Sequence, residues 1–309
     1  MKEYIHQCMN KEALMDNKQQ QLYLGIDGGG SKCKAVILNK DMQILGEGIA
    51  GAANPFHSLE KAQSSIVAAA ELALENANLD KHLVPELIAG IGLAGVNLPK
   101  YFKLMNAWQH PFKSMHLATD LHIACLGAHN GEDGAIMITG TGSCGYVSVN
   151  GDSLIIGGHG FPHGDICSGA WLGFQAVEKV LLAYDGIIQP TLLSEKVFKQ
   201  LNCSDSNTLV ETIAGHGATY YGRLAISVFD AADAGDEVAK NIITEGCDYF
   251  VAVFNKLKAK GSVKLSLIGG LKPRLIEWLP TEIVDNITVA ENPPEVGAVL
   301  FAMNEENKK

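Results

Sequence analysis

The residues with the most chemistry per position lie together near the start of the chain, in Asp27-Gly28-Gly29-Gly30-Ser31-Lys32. Apolar runs at 22–26 and 35–38 flank them and predict two buried strands joined by a glycine hairpin, with the glycines supplying positive φ angles. With no side chains at Gly28, Gly29 and Gly30, a polyanion can reach the backbone N–H groups, and Ser31 and Lys32 add a hydroxyl and a charge beside it. Asp27, at the strand end, can hold a hydrated divalent cation such as Mg²⁺ against that anion. Taken alone, the stretch reads equally as a glycine hairpin without a ligand. It is neither Gly-x-Gly-x-x-Gly opening a helix nor a loop ending in Gly-Lys-Ser/Thr, because a strand follows it.

Thr139-Gly140-Thr141-Gly142-Ser143 holds the corresponding place at the first turn of a second strand meander, and its glycines and hydroxyls suit a second phosphate contact. Two such turns at equivalent places favour nucleotide binding over two coincidental hairpins. Asp120 follows a short apolar strand and precedes Leu-His-Ile-Ala-Cys, which looks like a helix start. Asp is a favoured N-cap. A carboxylate in that place can also take the proton from a hydroxyl that attacks a γ-phosphate.

Residues 157–169, Gly-Gly-His-Gly-Phe-Pro-His-Gly-Asp-Ile-Cys-Ser-Gly, are too polar and glycine-rich for a core element and read as a ligand loop, in which Asp165 can accept hydrogen bonds from vicinal hydroxyls. His159 and His163 have no partner at metal-ligand spacing and read as loop polarity. Asn54 offers the donor and acceptor that a sugar hydroxyl or acetamido group needs, although Asn before Pro is also ordinary turn chemistry. Gly269-Gly270 at a late strand end leave room for a flat adenine, or simply make a strand-to-helix turn.

The elements that must position these groups repeat in order. Strands at 22–26, 35–38 and 43–50, a helix at 59–77, a strand at 87–93, a helix at 99–108 and a strand at 115–119 make the first set. Strands at 134–139, 145–149 and 153–157 open the second, followed by helices at 168–184, 192–201, 207–213, 220–232 and 236–259, a strand at 264–268, a helix at 271–278 and a strand at 288–290. A helix at 293–303 closes the chain. Two such sets predict two α/β domains facing each other across a cleft, one spanning 21–131 and the other 132–292, after a disordered extension at 1–20.

Composition sets the outer bounds. The 309 residues suffice for two cores, and 24 basic against 34 acidic residues, a formal charge of −10, oppose a nucleic-acid partner. No apolar run approaches a membrane span, and the polar N-terminus lacks a signal-peptide core, so the expected location is cytoplasmic. Seven cysteines without a Cys-x-x-Cys pair support neither a disulfide framework nor a zinc site.

With these residues assembled, the chain resembles the BadF/BadG/BcrA/BcrD ATPase family of the actin, Hsp70 and sugar-kinase superfamily, and within it the N-acetylglucosamine and glucosamine kinases. The resemblance runs from about Leu22 to Met303 through Asp27-Gly-Gly-Gly-Ser31, Gly140-Thr-Gly-Ser143, Gly158-His-Gly160, Gly164-Asp165 and the Asn54 turn. It implies two ribonuclease H-like domains, with the C-terminal helix (about 293–305) returning to the first. It further implies ATP bound at Gly28–Lys32, Gly140–Gly142 and Gly269–Gly270, Mg²⁺ held by Asp27 through water, and Asp120 as general base. Asn54, Asp120, Ser143, Gly158, His159, Gly160 and Asp165 would touch an amino sugar, in a possible homodimer. Three departures fall in the sugar loops: Gly164-Asp165-Ile166-Cys167-Ser168 stands for Gly-Asp-Glu-Gly-Ser, His159 for Trp and Cys144 for Asn.

The function this reading predicts is transfer of the γ-phosphoryl group of ATP to the 6-hydroxyl of N-acetylglucosamine, with glucosamine close behind. Its rivals are an ATPase that activates a reductase through an iron–sulfur cluster, kept open by Cys125, Cys144 and Cys167, and a sugar-sensing protein without catalysis.

Overall fold

The computed structural model describes residues 21–261 and 264–309, and the extension expected at 1–20 lies outside them. The first part of the chain forms β1 (Leu22–Gly28), β2 (Cys33–Asn39), β3 (Ile44–Ala50), α1 (Leu59–Asn76), β4 (Ile88–Leu93), α2 (Pro99–Asn106), β5 (Ser114–Thr119) and α3 (Asp120–Ala128). The second forms β6 (Gly134–Thr139), β7 (Ser143–Val149), β8 (Asp152–Gly157), α4 (Gly169–Tyr184), α5 (Leu192–Leu201), α6 (Ser206–Ile213), α7 (Ala218–Gly222), α8 (Ala225–Asp233), α9 (Glu237–Lys260), β9 (Leu265–Ile268), α10 (Lys272–Leu275), α11 (Thr281–Val284) and β10 (Ile287–Thr288). The chain ends in α12 (Pro294–Asn307).

Two compact units result: one takes the residues through Glu132 together with Glu291–Lys309, the other Asp133–Ala290. Each holds a five-stranded mixed sheet, ordered β3-β2-β1-β4-β5 in the first and β10-β9-β6-β7-β8 in the second. The two orders correspond, with an antiparallel meander followed by parallel strands reached through helices. Strands β1 and β4 sit at the centre of their sheet and are buried nearly throughout, so both read as continuous apolar runs. Edge strand β3 alternates instead.

Small residues let helices approach these sheets closely. The buried stripe of α1 is rich in alanine (Ala62, Ala69, Ala70, Ala73), and it lies against Gly46 and Gly48 of β3, where a Cβ would overlap the carbonyl oxygens of Ala73 and Ala69. The C-terminal helix α12 uses the same device on the opposite flank. A Cβ at Gly25 of β1 would overlap the Glu295 carbonyl, one at Gly90 of β4 the Ala298 carbonyl, and one at Gly297 the Ile123 carbonyl of α3. Val296, Ala298, Val299 and Ala302 are buried in that contact, and the helix that the resemblance returns to the first domain belongs to the first unit.

Three expected elements differ. The helix expected at 220–232 is two, α7 and α8, separated at Arg223–Leu224 after Gly222. The helix expected at 271–278 is regular only over Lys272–Leu275, and the last strand is confined to Ile287–Thr288. Gly222, a poor helix former, marks the break in the first, and in the other two Leu275, Trp278 and Ile287 pack on the second core although only part of each run is regular.

Candidate active site

In the first unit, β1 and β2 meet at a turn in which Gly29 N–H donates to Lys32 O at 2.9 Å. The expectation of positive φ at its glycines is not met: none of Gly28, Gly29 and Gly30 lies in the left-handed region. Their lack of a side chain serves space instead. A Cβ at Gly28 would overlap the Leu93 side chain and meet Ala53, whereas Gly30 has nothing within 4 Å. Gly28 is thus an internal packing position, and Gly29 and Gly30, with exposed Ser31 and Lys32, present the open backbone. Two further bonds fix the turn: Ala53 N–H donates to Gly29 O and Ala94 N–H to Gly28 O, both at 2.9 Å.

Asp27 sits beside this turn, paired across the strands with Lys34. Burial first, then the negative charges of Glu295 and Asp120, raise its pKa to about 6, against smaller opposing effects of Lys34 and Lys32. Asp120 follows β5, in the same unit. It is not the N-cap of α3 that its residue type suggested. Thr119 caps the helix, its Oγ1 accepting from His122 N–H at 3.1 Å, while Asp120 is the first helical residue and its Oδ1 accepts from Leu121 N–H at 2.9 Å. Leaving the cap to Thr119 spares the Asp120 carboxylate for other work. Burial pushes its pKa up, opposed by the backbone hydrogen bonds. Asn54 keeps its turn role, with Oδ1 accepting from Phe56 N–H at 2.9 Å.

A cation fits beside Asp27 on electrostatic grounds. The charges of Glu295 and Asp120 both raise the cost of ionising Asp27, and Glu295 Oε2 is buried without a hydrogen-bond partner, so a positive partner beside Asp27 would be favoured. Among the described residues no group of three His, Cys, Asp or Glu is arranged to hold a metal. An ion at Asp27 would therefore keep waters or phosphate oxygens as its other ligands, as Mg²⁺ does readily.

In the second unit, the turn Gly140–Gly142 is anchored on the start of α4: Gly169 N–H donates to Gly140 O at 2.8 Å and Ala170 N–H to Thr141 O at 3.2 Å. Ser168 caps that helix through its Oγ, which accepts from Trp171 N–H at 3.2 Å. Beside the turn lies a cavity of about 320 Å³ lined by Gly140, Thr141, Gly169, Gly222, Gly270 and Leu271. Four glycines among six residues make its wall largely bare backbone, which a flat ring or a phosphate can approach closely.

Of the two glycines expected to flank adenosine, only Gly270 lines this cavity. Gly269, at φ 118°, is demanded by the backbone, since a Cβ there would overlap the Thr139 carbonyl. Ser143 is buried and its Oγ donates to Ile166 O at 2.6 Å, tying the turn to the loop at 157–168. In that loop Gly158 and His159 are exposed, Gly160 and Asp165 half-buried. Asp165 lies against Gly142.

Sequence reasoning missed Glu295, Gly222 and Leu271, and placed Gly169 only at the end of the ligand loop. A lone acidic residue heading the apolar run 296–302, and a glycine inside an expected helix at 222, were the available signals. Leu271 carried none.

Two sheets of matching order, each with a glycine turn at its first hairpin, define an α/β protein of the actin, Hsp70 and sugar-kinase type. The chain belongs to the BadF/BadG/BcrA/BcrD ATPase family, whose model matches residues 24–302. It is 35% identical over 285 residues to a glucosamine kinase of Vibrio cholerae, covering 92% of this chain and 97% of the relative. An N-acetyl-D-glucosamine kinase of Dictyostelium discoideum is 25% identical over 316 residues, covering 92% and 98%. A solved structure from Chromobacterium violaceum, provisionally named an N-acetylglucosamine kinase, superposes with a TM-score of 0.83 at 27% identity, covering 91% of this chain and 99% of its own.

Proposed function

We propose that the protein is an ATP-dependent amino-sugar kinase that transfers the γ-phosphoryl group of ATP to the 6-hydroxyl of a hexosamine, and that glucosamine is its preferred substrate. The observation that carries the chemistry is Asp120: a desolvated carboxylate at a strand end, relieved of capping by Thr119 and within electrostatic reach of Asp27 at the glycine turn. Such a group suits a general base.

In this reading Asp120 orients the 6-hydroxyl and takes its proton as the oxygen attacks phosphorus. The turn at Gly29–Lys32 binds phosphate through backbone N–H groups, Ser31 and Lys32. Asp27 would hold Mg²⁺ through water, and the ion would neutralise charge on the transferred phosphoryl group. The second unit contributes Gly140–Gly142 as its phosphate turn and the glycine-lined cavity ending at Gly270 for the nucleoside. The candidates for the sugar within the second unit are Ser143, Gly158, His159, Gly160 and Asp165, and Asn54 is a separate candidate.

The choice of sugar rests on two points. Identity of 35% over 92% of the chain with a relative named glucosamine kinase favours the free amino sugar, although the residues by themselves rank N-acetylglucosamine first. Asn54 also spends an acceptor position on Phe56 N–H, so it offers an acetamido group less than its full donor and acceptor pair. N-acetylglucosamine stands second, favoured by the Chromobacterium likeness. The iron–sulfur reading weakens because Cys125 and Cys167 are buried, where they cannot share a cluster with another subunit.

ATP turnover measured against a panel of hexoses tests the reading, with the product located by ³¹P NMR. The expected result is sugar-dependent turnover, greatest with glucosamine, and a phosphomonoester on C6. Equal ATP consumption with and without sugar would reject a kinase, and a preference for glucose would reject an amino sugar.

A further inference from the structure

Glu295 has a place in the structure that the roles assigned so far leave unused. It is 5% exposed, the second residue of α12, and Lys34 Nζ lies 3.3 Å from its Oε1. Its Oε2 has no hydrogen-bond partner. The helix comes this near to β1 because Gly25 has no side chain, and Gly25 and Asp27 share one face of that strand. Lys34, the same lysine, stands directly across from Asp27 in the β1–β2 register. Lys34 is therefore paired with Glu295 and, across the strands, within electrostatic reach of Asp27.

The Lys34 side chain is partly exposed while Glu295 is buried, and a buried carboxylate that only pinned the helix would gain by satisfying both of its oxygens, since an unpartnered one keeps its cost of leaving water. The unpaired oxygen and the negative charges that raise the cost of ionising Asp27 point to a positive partner supplied from outside the chain.

We infer that Glu295 is the fixed counter-charge for the divalent cation at Asp27, acting through space rather than as a ligand, and that Lys34 holds its carboxylate in place while opposing the same cation. This rests on the reading of Asp27 as the cation's protein anchor. A through-space role agrees with the lack, among the described residues, of any three-residue metal cluster, and it works at short range in a poorly screened interior.

The test is Mn²⁺ affinity of the full-length enzyme with ADP, read from free Mn²⁺ by electron paramagnetic resonance. A counter-charge makes the two halves of the ion pair act with opposite sign. Glu295→Gln is expected to weaken Mn²⁺ binding about tenfold, and Lys34→Gln to tighten it several-fold; with EDTA in place of Mn²⁺, ADP itself should bind Glu295→Gln more tightly than wild type. A pin for the helix predicts instead that both variants weaken binding alike, and that result, or no change in either, would overturn the inference. Should Glu295→Gln fail to fold, the sign of the Lys34→Gln effect decides. Asp27→Asn separates the two levels: if it loses Mn²⁺ while Glu295→Gln and Lys34→Gln bind normally, only the counter-charge is rejected, and if it binds Mn²⁺ as wild type does, the anchor reading fails and the counter-charge with it.

Discussion

Asp165 Oδ2 lies 2.9 Å from the point where a Cβ on Gly142 would stand. A carboxylate assigned to sugar hydroxyls and a turn assigned to phosphate thus touch within a single unit, and the absence of a side chain at 142 is what lets them. Gly142→Ala should displace the free end of the Asp165 side chain rather than any backbone. The expected outcome is a KM for sugar raised about tenfold, with a melting temperature near wild type, as a surface change away from the core gives. Steady-state kinetics beside a thermal melt check both halves, and an unchanged KM would separate Asp165 from the sugar.

Asp120→Asn removes the proposed base while keeping shape and the hydrogen bond from Leu121 N–H. A loss of roughly 10²- to 10⁴-fold in kcat with little change in KM is expected. Because burial raises the Asp120 pKa, wild-type kcat should fall on the acid side at a higher pH than an ordinary aspartate would give. The variant should lack that limb. Turnover near wild type would remove Asp120 from the chemistry.

Asp27→Asn is expected to trade activity for stability. The folded-state pKa of about 6 lies above the ordinary 3.8, so between those values the native state binds more protons than the unfolded one and wild-type stability falls as pH rises. Above about pH 6 the penalty is complete, on the order of 1–3 kcal/mol after allowing for the buried amide. The metal-free, nucleotide-free variant should therefore melt higher than wild type at pH 7, with the gain fading towards pH 4, and should lose Mg²⁺-dependent turnover. Melts in EDTA across that range are the check.

Two classes of glycine should separate cleanly. Gly140 and Gly270 have nothing within 4 Å of the point where a Cβ would stand, and both line the second unit's cavity. Alanine at either should leave stability within about 0.5 kcal/mol and weaken ATP binding. Gly90 faces the backbone of α12, where a Cβ overlaps the Ala298 carbonyl, so Gly90→Ala should cost about 3 kcal/mol or more by forcing helix and sheet apart. Denaturant melts and nucleotide titration of the three variants distinguish a ligand wall from a packing contact.

What was legible before folding follows from local rules. Side-chain alternation and apolar runs mark β1, β4 and β6, and turn chemistry marks the residues between them, because both depend on neighbours in the chain. Asp27 and Asp120 stand at strand ends, where side chains leave the sheet and become available to ligands. The φ angles of Gly28–Gly30 differ from expectation for a related reason: open space and positive φ both call for glycine, and a sequence does not say which. The same ambiguity joined Gly269 to Gly270, one required by the backbone and the other by the cavity.

The amino-acid sequence by itself determined the repeated order of strands and helices, the two glycine turns and the carboxylates at or beside strand ends, since periodicity and turn propensity act over a few residues. Only the tertiary structure decided that Glu295 reaches Lys34 across 261 positions, that Thr119 rather than Asp120 caps α3, and that Gly169, Gly222 and Leu271 share a wall with Gly140. Those choices are made by helices settling on glycine-bearing strands, where backbone meets backbone, and such close approach is a property of packed surfaces rather than of any one segment.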